Sequence, residues 1–317
     1  VTPEENQTSK PSLRLGFGCA SILGKVGRRE SIIAIETALS SGITHFDVAR
    51  SYGFGEAERL LGQLLNERRE LVTVITKFGI RPPPAQAFLK VLKPAIRLAR
   101  TAIPGLQNTI RRVSGNLTTS GFYSAEDATR SIEESLQALK FDYLDAVLIH
   151  EPPTLSCLSE ELFSALDRMV KNGRLLKWGL AGSVAQFADF RRMTTPRNLV
   201  FQTSLADAEL GTDDLFLFHS PFSRFHPFLE RVAQIKDGPM LDWLKSVVPA
   251  AGTRGIDSVA LRRLYLQLIA EVWPTSTFIV GMANPAHIVE NAGVFSNLTT
   301  TLPTSNELRN RIIQLLR

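Results

Sequence analysis

Asp47, Tyr52, Lys77 and His150 each sit at or just beyond the end of a short apolar run. Asp47 falls in His45-Phe46-Asp47-Val48, and Tyr52 follows in Ala49-Arg50-Ser51-Tyr52-Gly53. Lys77 closes Val72-Thr-Val-Ile-Thr-Lys77, and His150 closes Leu144-Asp-Ala-Val-Leu-Ile-His150. A carboxylate, a phenol, an ammonium and an imidazole are groups that hold and pass protons. A lysine at the end of an apolar strand is costly to bury unless a carboxylate pairs with it, and Asp47 is the candidate partner. Singly, each has an ordinary structural explanation. Asp47 could cap the helix that follows, Tyr52 could be a loop tyrosine, Lys77 could snorkel to solvent, and His150 could be a satisfied strand-end histidine. The case for chemistry rests on all four occurring together, in this order, at equivalent places in the chain.

Residues so far apart in sequence need elements that bring them together. Eight short β-rich segments are marked by apolar content: Leu13–Gly18, Thr44–Val48, Leu71–Lys77, Leu144–His150, Leu175–Ala181, Leu199–Thr203, Leu215–His219 and Thr277–Gly281. Most are followed by helical periodicity, as in Arg29–Ser41, Glu56–Leu65 and Asp127–Leu139. Strand alternating with helix predicts an α/β protein with a mostly parallel sheet. Eight such units in 317 residues fit one closed (β/α)8 TIM barrel, in which the C-terminal strand ends converge on one face. A doubly wound open sheet is the alternative. It would carry a glycine fingerprint after the first strand, and Leu15-Gly-Phe-Gly-Cys19 has only the first two glycines.

Asp47-x-Ala49-x-x-Tyr52-Gly53, then Glu56 and Leu61-Gly62, then Thr76-Lys77-Phe78-Gly79, then Leu148-Ile149-His150, resembles the aldo-keto reductase superfamily. The resemblance runs from about Leu13 to Asn291. It implies NAD(P)H-dependent, reversible reduction of an aldehyde or ketone to an alcohol, with the family's Asp, Tyr, Lys and His tetrad at Asp47, Tyr52, Lys77 and His150. In that reading Tyr52 is the proton donor. A free tyrosine, with a pKa near ~10, is a poor shuttle at neutral pH. Lys77 would lower that pKa, Asp47 would hold Lys77, and His150 would place the carbonyl oxygen. The nicotinamide would supply the hydride.

The resemblance also implies cofactor contacts. Ser183, in Trp178-Gly-Leu-Ala-Gly-Ser183, stands for the carboxamide-binding serine, but its usual Asn partner is replaced by Val184. Gln202 matches the carboxamide-binding glutamine. In His219-Ser220-Pro221-Phe222, His219 replaces the tyrosine that stacks on the nicotinamide. Gly281, Met282, Asn284, His287, Glu290 and Asn291 fall in the family's pyrophosphate- and adenosine-binding turn and helix, which on its own reads equally as an ordinary capped helix. Family habit favours NADP(H) over NAD(H), although Met282, Ala283 and Asn284 are not basic. The departures at Val184 and His219 leave open an alternative, a cofactor-binding regulatory subunit with little or no turnover.

Two stretches break the strand–helix rhythm. About 45 residues separate Lys77 from the helix near Ser124, where an ordinary loop takes ~2–6. This insertion (80–123) is expected to contain a helix over Gln86–Thr101. From Arg81 to Tyr123 it carries seven Lys and Arg and no acid, so it holds more than the whole chain's net charge of +5. Its cations read either as a solvated flap or as a lid over the catalytic face that favours an anionic substrate, a carrier protein or an acidic membrane surface. Conversely, the gap between Thr203 and Leu215 is too short for a full return helix and predicts a missing or reduced one.

Residues 1–12 read as a disordered leader ahead of a single barrel domain, 13–317. Two cysteines with no Cys-x-x-Cys spacing point to reduced thiols and a cytoplasmic protein. No apolar run approaches a membrane span. The five histidines form no metal-ligand pair, which disfavours a metal-dependent barrel hydrolase. Nucleic-acid binding has only the basic insertion in its favour. A small-molecule carbonyl compound is the expected partner.

Overall fold

The structure is a computed structural model that describes residues 14–82, 119–194, 199–208, 216–248, 258–298, 303 and 305–316. Eight parallel strands close into a barrel: β1 (Leu15–Gly18), β2 (His45–Asp47), β3 (Thr73–Phe78), β6 (Leu144–His150), β7 (Leu175–Ala181), β8 (Leu199–Ser204), β9 (Phe216–His219) and β10 (Thr277–Val280). The order around the barrel is β1-β10-β9-β8-β7-β6-β3-β2. Two further strands, β4 (Ile80–Arg81) and β5 (Thr119–Ser120), form a short antiparallel pair outside it.

Side chains alternate along each strand, so one set fills the barrel and the other meets the helices. The inner set includes Ile75, Ala146, Leu148, Ala181, Val200, Leu217 and Ile279, which pack on one another. The outer set joins a larger core beneath the helices, including Val74, Val147, Leu180 and Phe278. Amphipathic helices cover that core. Ala57–Leu65 buries Leu60, Leu61 and Leu65. Ala125–Leu139 starts on Ser124, whose side chain accepts from the Asp127 N–H, and buries Ile132, Leu136 and Leu139. Glu160–Lys171 is capped in the same way by Ser159 and buries Leu162, Phe163 and Leu166.

The closed barrel is the architecture expected from the eight apolar segments, with boundary shifts that have local causes. The third strand starts at Thr73 rather than Leu71, because Asn66–Leu71 winds into a 3-10 turn. Between β8 and β9 the described residues hold only the 3-10 turn Leu205–Asp207, and 209–215 lie outside them. The insertion opens and closes on the β4–β5 pair. Its expected helix Gln86–Thr101, six of its seven cations and the leader lie outside the described residues. No helix among the described residues is long and apolar enough to cross a membrane.

Candidate active site

Strand register brings the acid and the ammonium together. Asp47 pairs with Ile75 across β2 and β3, so Lys77, two residues on, projects from the same inner face one step higher. The Lys77 ammonium donates to both Asp47 carboxylate oxygens at 2.7 Å and to the Val48 carbonyl at 3.2 Å. Both side chains are almost inaccessible, at 2% for Lys77 and 4% for Asp47. Gln202 Nε2, from the end of β8, donates to Asp47 Oδ1 at 2.8 Å. Burial works against the ammonium, but Asp47 and then Tyr52 outweigh it and hold Lys77 above its ordinary pKa.

Tyr52 sits in the loop that leaves β2. The chain reverses immediately after it, with Gly53 and Phe54 both left-handed at φ 59° and 60°. A Cβ on Gly53 would come within 2.8 Å of the Ile22 carbonyl oxygen, so the Tyr-Gly pair is a packing requirement as well as a turn. Lys77 Nζ lies 5.2 Å from the Tyr52 ring centroid. The His150 ring stands edge-on to it at 6.4 Å. Burial raises the Tyr52 pKa, and this outweighs the downward pull of Lys77, with Asp47 adding to the rise. The sequence-based expectation of a lowered pKa is therefore corrected. Lys77 acts in the expected direction, but a phenolate here would be buried within reach of the Asp47 carboxylate.

His150 ends β6 opposite Ala181 of β7. Burial, reinforced by Lys77 and His219, pushes its imidazole down to about 3, so it is neutral at pH 7. Nδ1 is buried without a hydrogen-bond partner. An unpaired lone pair costs less there than an unpaired N–H, which favours the tautomer with its proton on Nε2. Behind β3, Thr76 donates to Glu58 at 2.7 Å, and Glu58 is held in turn by Arg50. This outer support was not anticipated from the sequence, where only the Thr-Lys dipeptide hinted at it.

These residues line a cavity of about 390 Å³ at the C-terminal mouth of the barrel. Asp47, Tyr52, Lys77 and His150 all contribute, as do Gln202, His219, Ser220, Pro221 and Gly281. His219 Nδ1 lies 3.2 Å from Ser220 Oγ, and burial depresses its pKa. The other sequence-derived residues lie elsewhere. Ser183 caps the helix Val184–Met193 in a reciprocal box with Gln186, so its hydroxyl is engaged locally. Asn284 caps Pro285–Ser296 by accepting from the Ala286 N–H. Met282 is buried and accepts a contact from Asn291 Nδ2 at 3.4 Å. Glu290 pairs with Arg262 at 2.8 Å, and His287 is exposed. Glu151 and Lys25, which the sequence did not single out, also line the mouth.

The Aldo/keto reductase family model matches residues 14–205, which carry all four of the clustered ionisable residues. The chain is 31% identical over 140 residues to pyridoxal 4-dehydrogenase of Microbacterium luteolum, covering 43% of this chain and 39% of that protein. It is 29% identical over 190 residues to 6-dehydroglucose reductase of Agrobacterium fabrum, covering 57% and 54%. The matched stretch thus spans about half or less of these relatives. Among solved structures, an aldo-keto reductase from Klebsiella pneumoniae in complex with NADPH superposes with a TM-score of 0.59 at 17% identity, covering 96% of this chain and 90% of that one. A thermostable aldo-keto reductase in complex with epalrestat gives 0.62 at 18% identity, covering 98% of each chain. At such identities the superpositions speak for the barrel fold, while the family model covers more than half of the sequence: the chain belongs to the aldo/keto reductase family.

Proposed function

We propose that this protein reversibly reduces an aldehyde or ketone to an alcohol with NAD(P)H, with Tyr52 as the general acid. The observation that carries the reading is the buried Asp47–Lys77 pair set against Tyr52 in a cavity that also takes His150. Asp47 keeps Lys77 charged and fixed. Lys77 stabilises the phenolate left when Tyr52 gives its proton to the developing alkoxide. A neutral His150 donates from Nε2 to the carbonyl oxygen and aims it at the Tyr52 hydroxyl. A tyrosine whose resting pKa is raised by burial stays protonated at neutral pH, which suits an acid in the reducing direction.

The cavity suits a nicotinamide. Gln202 spends its amide N–H on Asp47, which leaves its carbonyl oxygen for a carboxamide donor. The mouth is kept open where β1 meets β10: a Cβ on Gly18 would stand 3.3 Å from the Gly281 nitrogen. Gln202, the His219 ring, Ser220 and Gly281 would hold the group, which supplies a hydride to the carbonyl carbon when bound. Ser183 would join them as an acceptor: its hydroxyl donates to Gln186 Oε1 at 3.2 Å and keeps its lone pairs for a carboxamide N–H. NADP(H) is the proposed partner, following the NADPH-bound Klebsiella relative. The usual basic residue for a 2′-phosphate is missing at 282–284, and Arg262 is engaged by Glu290. The preference is measured by titrating NADPH and NADH fluorescence with the protein.

Tyr52→Phe is the direct test. It should lower turnover of 4-nitrobenzaldehyde, followed by NAD(P)H absorbance, by at least about 10²-fold, while cofactor fluorescence is still perturbed. Unchanged turnover in Tyr52→Phe would remove Tyr52 from the mechanism. The departures at Val184 and His219 favour the second reading, a cofactor-binding regulatory subunit with little or no turnover. In that case the wild-type protein perturbs cofactor fluorescence and turns nothing over.

A further inference from the structure

Glu151 follows His150 directly and lines the same cavity. Its backbone is left-handed, at φ 45°, a conformation that a non-glycine residue adopts only at a cost. The surroundings enforce it. The Glu151 N–H donates to the Ala181 carbonyl at 2.8 Å. The Tyr123 hydroxyl donates to the carbonyls of His150 and Glu151, at 3.0 and 3.3 Å. Gln186 Nε2 holds the next carbonyl, that of Pro152, at 3.2 Å. Three elements therefore fix the turn that carries both the imidazole and the carboxylate.

The charge at this position is not neutralised locally. Among the described residues the Glu151 carboxylate has no ion-pair partner, and the nearby Lys77 ammonium is consumed by Asp47. Its field reaches across the mouth to His219, where it favours the imidazolium. Lys25, the other charged residue at the rim, is exposed and follows β1, three strands away from β6 around the barrel. A carbonyl compound held by Tyr52 and His150 thus meets, at the rim, an exposed carboxylate on a fixed backbone with no ion-pair partner among the described residues.

We propose that Glu151 is a specificity-determining residue, selecting carbonyl substrates that bear a positive charge and disfavouring carboxylated ones. The inference rests on the reductase reading above. It sets a cationic class against the anionic class suggested by the basic insertion, whose remaining cations lie outside the described residues. An exposed carboxylate facing a like or unlike charge across a wet cavity changes each substrate modestly, and the two effects multiply in a ratio.

The experiment compares kcat/KM for three para-substituted benzaldehydes: 4-(trimethylammonio)benzaldehyde, 4-nitrobenzaldehyde and 4-carboxybenzaldehyde. In the wild-type protein the cation-to-carboxylate ratio is expected to stand about tenfold above that of Glu151→Gln, the excess shrinking as salt is added. Glu151→Gln, which keeps the side-chain shape, sets the baseline of intrinsic carbonyl reactivity, and in Glu151→Lys the ratio should fall below that baseline. Because the readout is a ratio within each variant, a partial loss of folded protein does not move it. The same ratio in wild type and Glu151→Gln overturns the role of Glu151 while leaving the reductase reading in place. If wild type reduces none of the three with NADPH or NADH, the reductase reading fails and this inference with it.

Discussion

At the scale of single residues, the Asp47–Lys77 pair carries the proposed proton chemistry and a share of the stability. Two charges buried this deeply are tolerated because each satisfies the other and Gln202 and Val48 complete the hydrogen bonds. Lys77→Met removes the cation but keeps much of the apolar stem. It leaves the Asp47 carboxylate buried beside a single amide donor, and should cost about 3–5 kcal/mol in urea unfolding along with turnover. Adding Asp47→Asn should restore part of the stability and none of the activity, a coupling that a double-mutant cycle measures. Purely additive losses would mean that the two side chains do not depend on each other. Asp47, Lys77 and His150 stood out in the sequence as polar residues at the ends of apolar runs, whereas Tyr52, in the loop after β2, stood out only through the Asp-x-Ala-x-x-Tyr-Gly pattern. Glu151 was not legible, because an acid before two prolines looks like ordinary loop; only its left-handed backbone and its place at the mouth distinguish it.

Between elements, the tolerance for extra volume is small. Gly62 lies on the helix Ala57–Leu65 where it meets the end of the helix Ala125–Leu139. A Cβ there would sit 2.5 Å from the Leu139 carbonyl oxygen, and backbone cannot yield as a side-chain tip can. Gly62→Ala is therefore expected to destabilise the protein by about 1–3 kcal/mol by forcing the helices apart, although alanine is the better helix former. A urea midpoint equal to or above wild type would sink this account. The periodicity of these helices was readable from sequence, as were their starts near Glu56 and Asp127, to within two residues. Leu-Gly reads as a family signature in the sequence, but its physical reason is a contact between Gly62 and Leu139, on two helices far apart in the chain.

For the whole molecule, acid sensitivity follows from histidines buried as neutral rings inside the barrel. Burial holds His45 down to about 4 and His150 down to about 3, against an ordinary 6.5. The unfolded chain binds these protons as pH falls below 6.5, whereas the folded chain refuses them until about 4 and 3. Stability is thus fully present above pH 6.5 and is lost progressively as pH falls through that window. For His45 alone the loss is about 3 kcal/mol on completion. Urea midpoints measured from pH 7.5 to 4.5 should fall, and His45→Gln should flatten part of the slope. A midpoint that holds level over this range, or a slope that His45→Gln leaves untouched, contradicts the assignment.

The sequence alone determined the alternation of strand and helix, and with it the barrel, because side-chain period and apolar content are local properties. It also determined which ionisable residues stand at strand ends. What tertiary structure decided is how those groups behave. The sense of the Tyr52 pKa depends on the sum of burial, Lys77 and Asp47, which no spacing encodes. The fate of Ser183 depends on whether Gln186 reaches back to cap its helix, and Gln202 is tied to Asp47 only because the closed barrel brings β2 and β8 to one mouth. Long-range electrostatics and competition for hydrogen bonds are properties of the assembled barrel, so the identities of the residues could be read in advance and their partners could not.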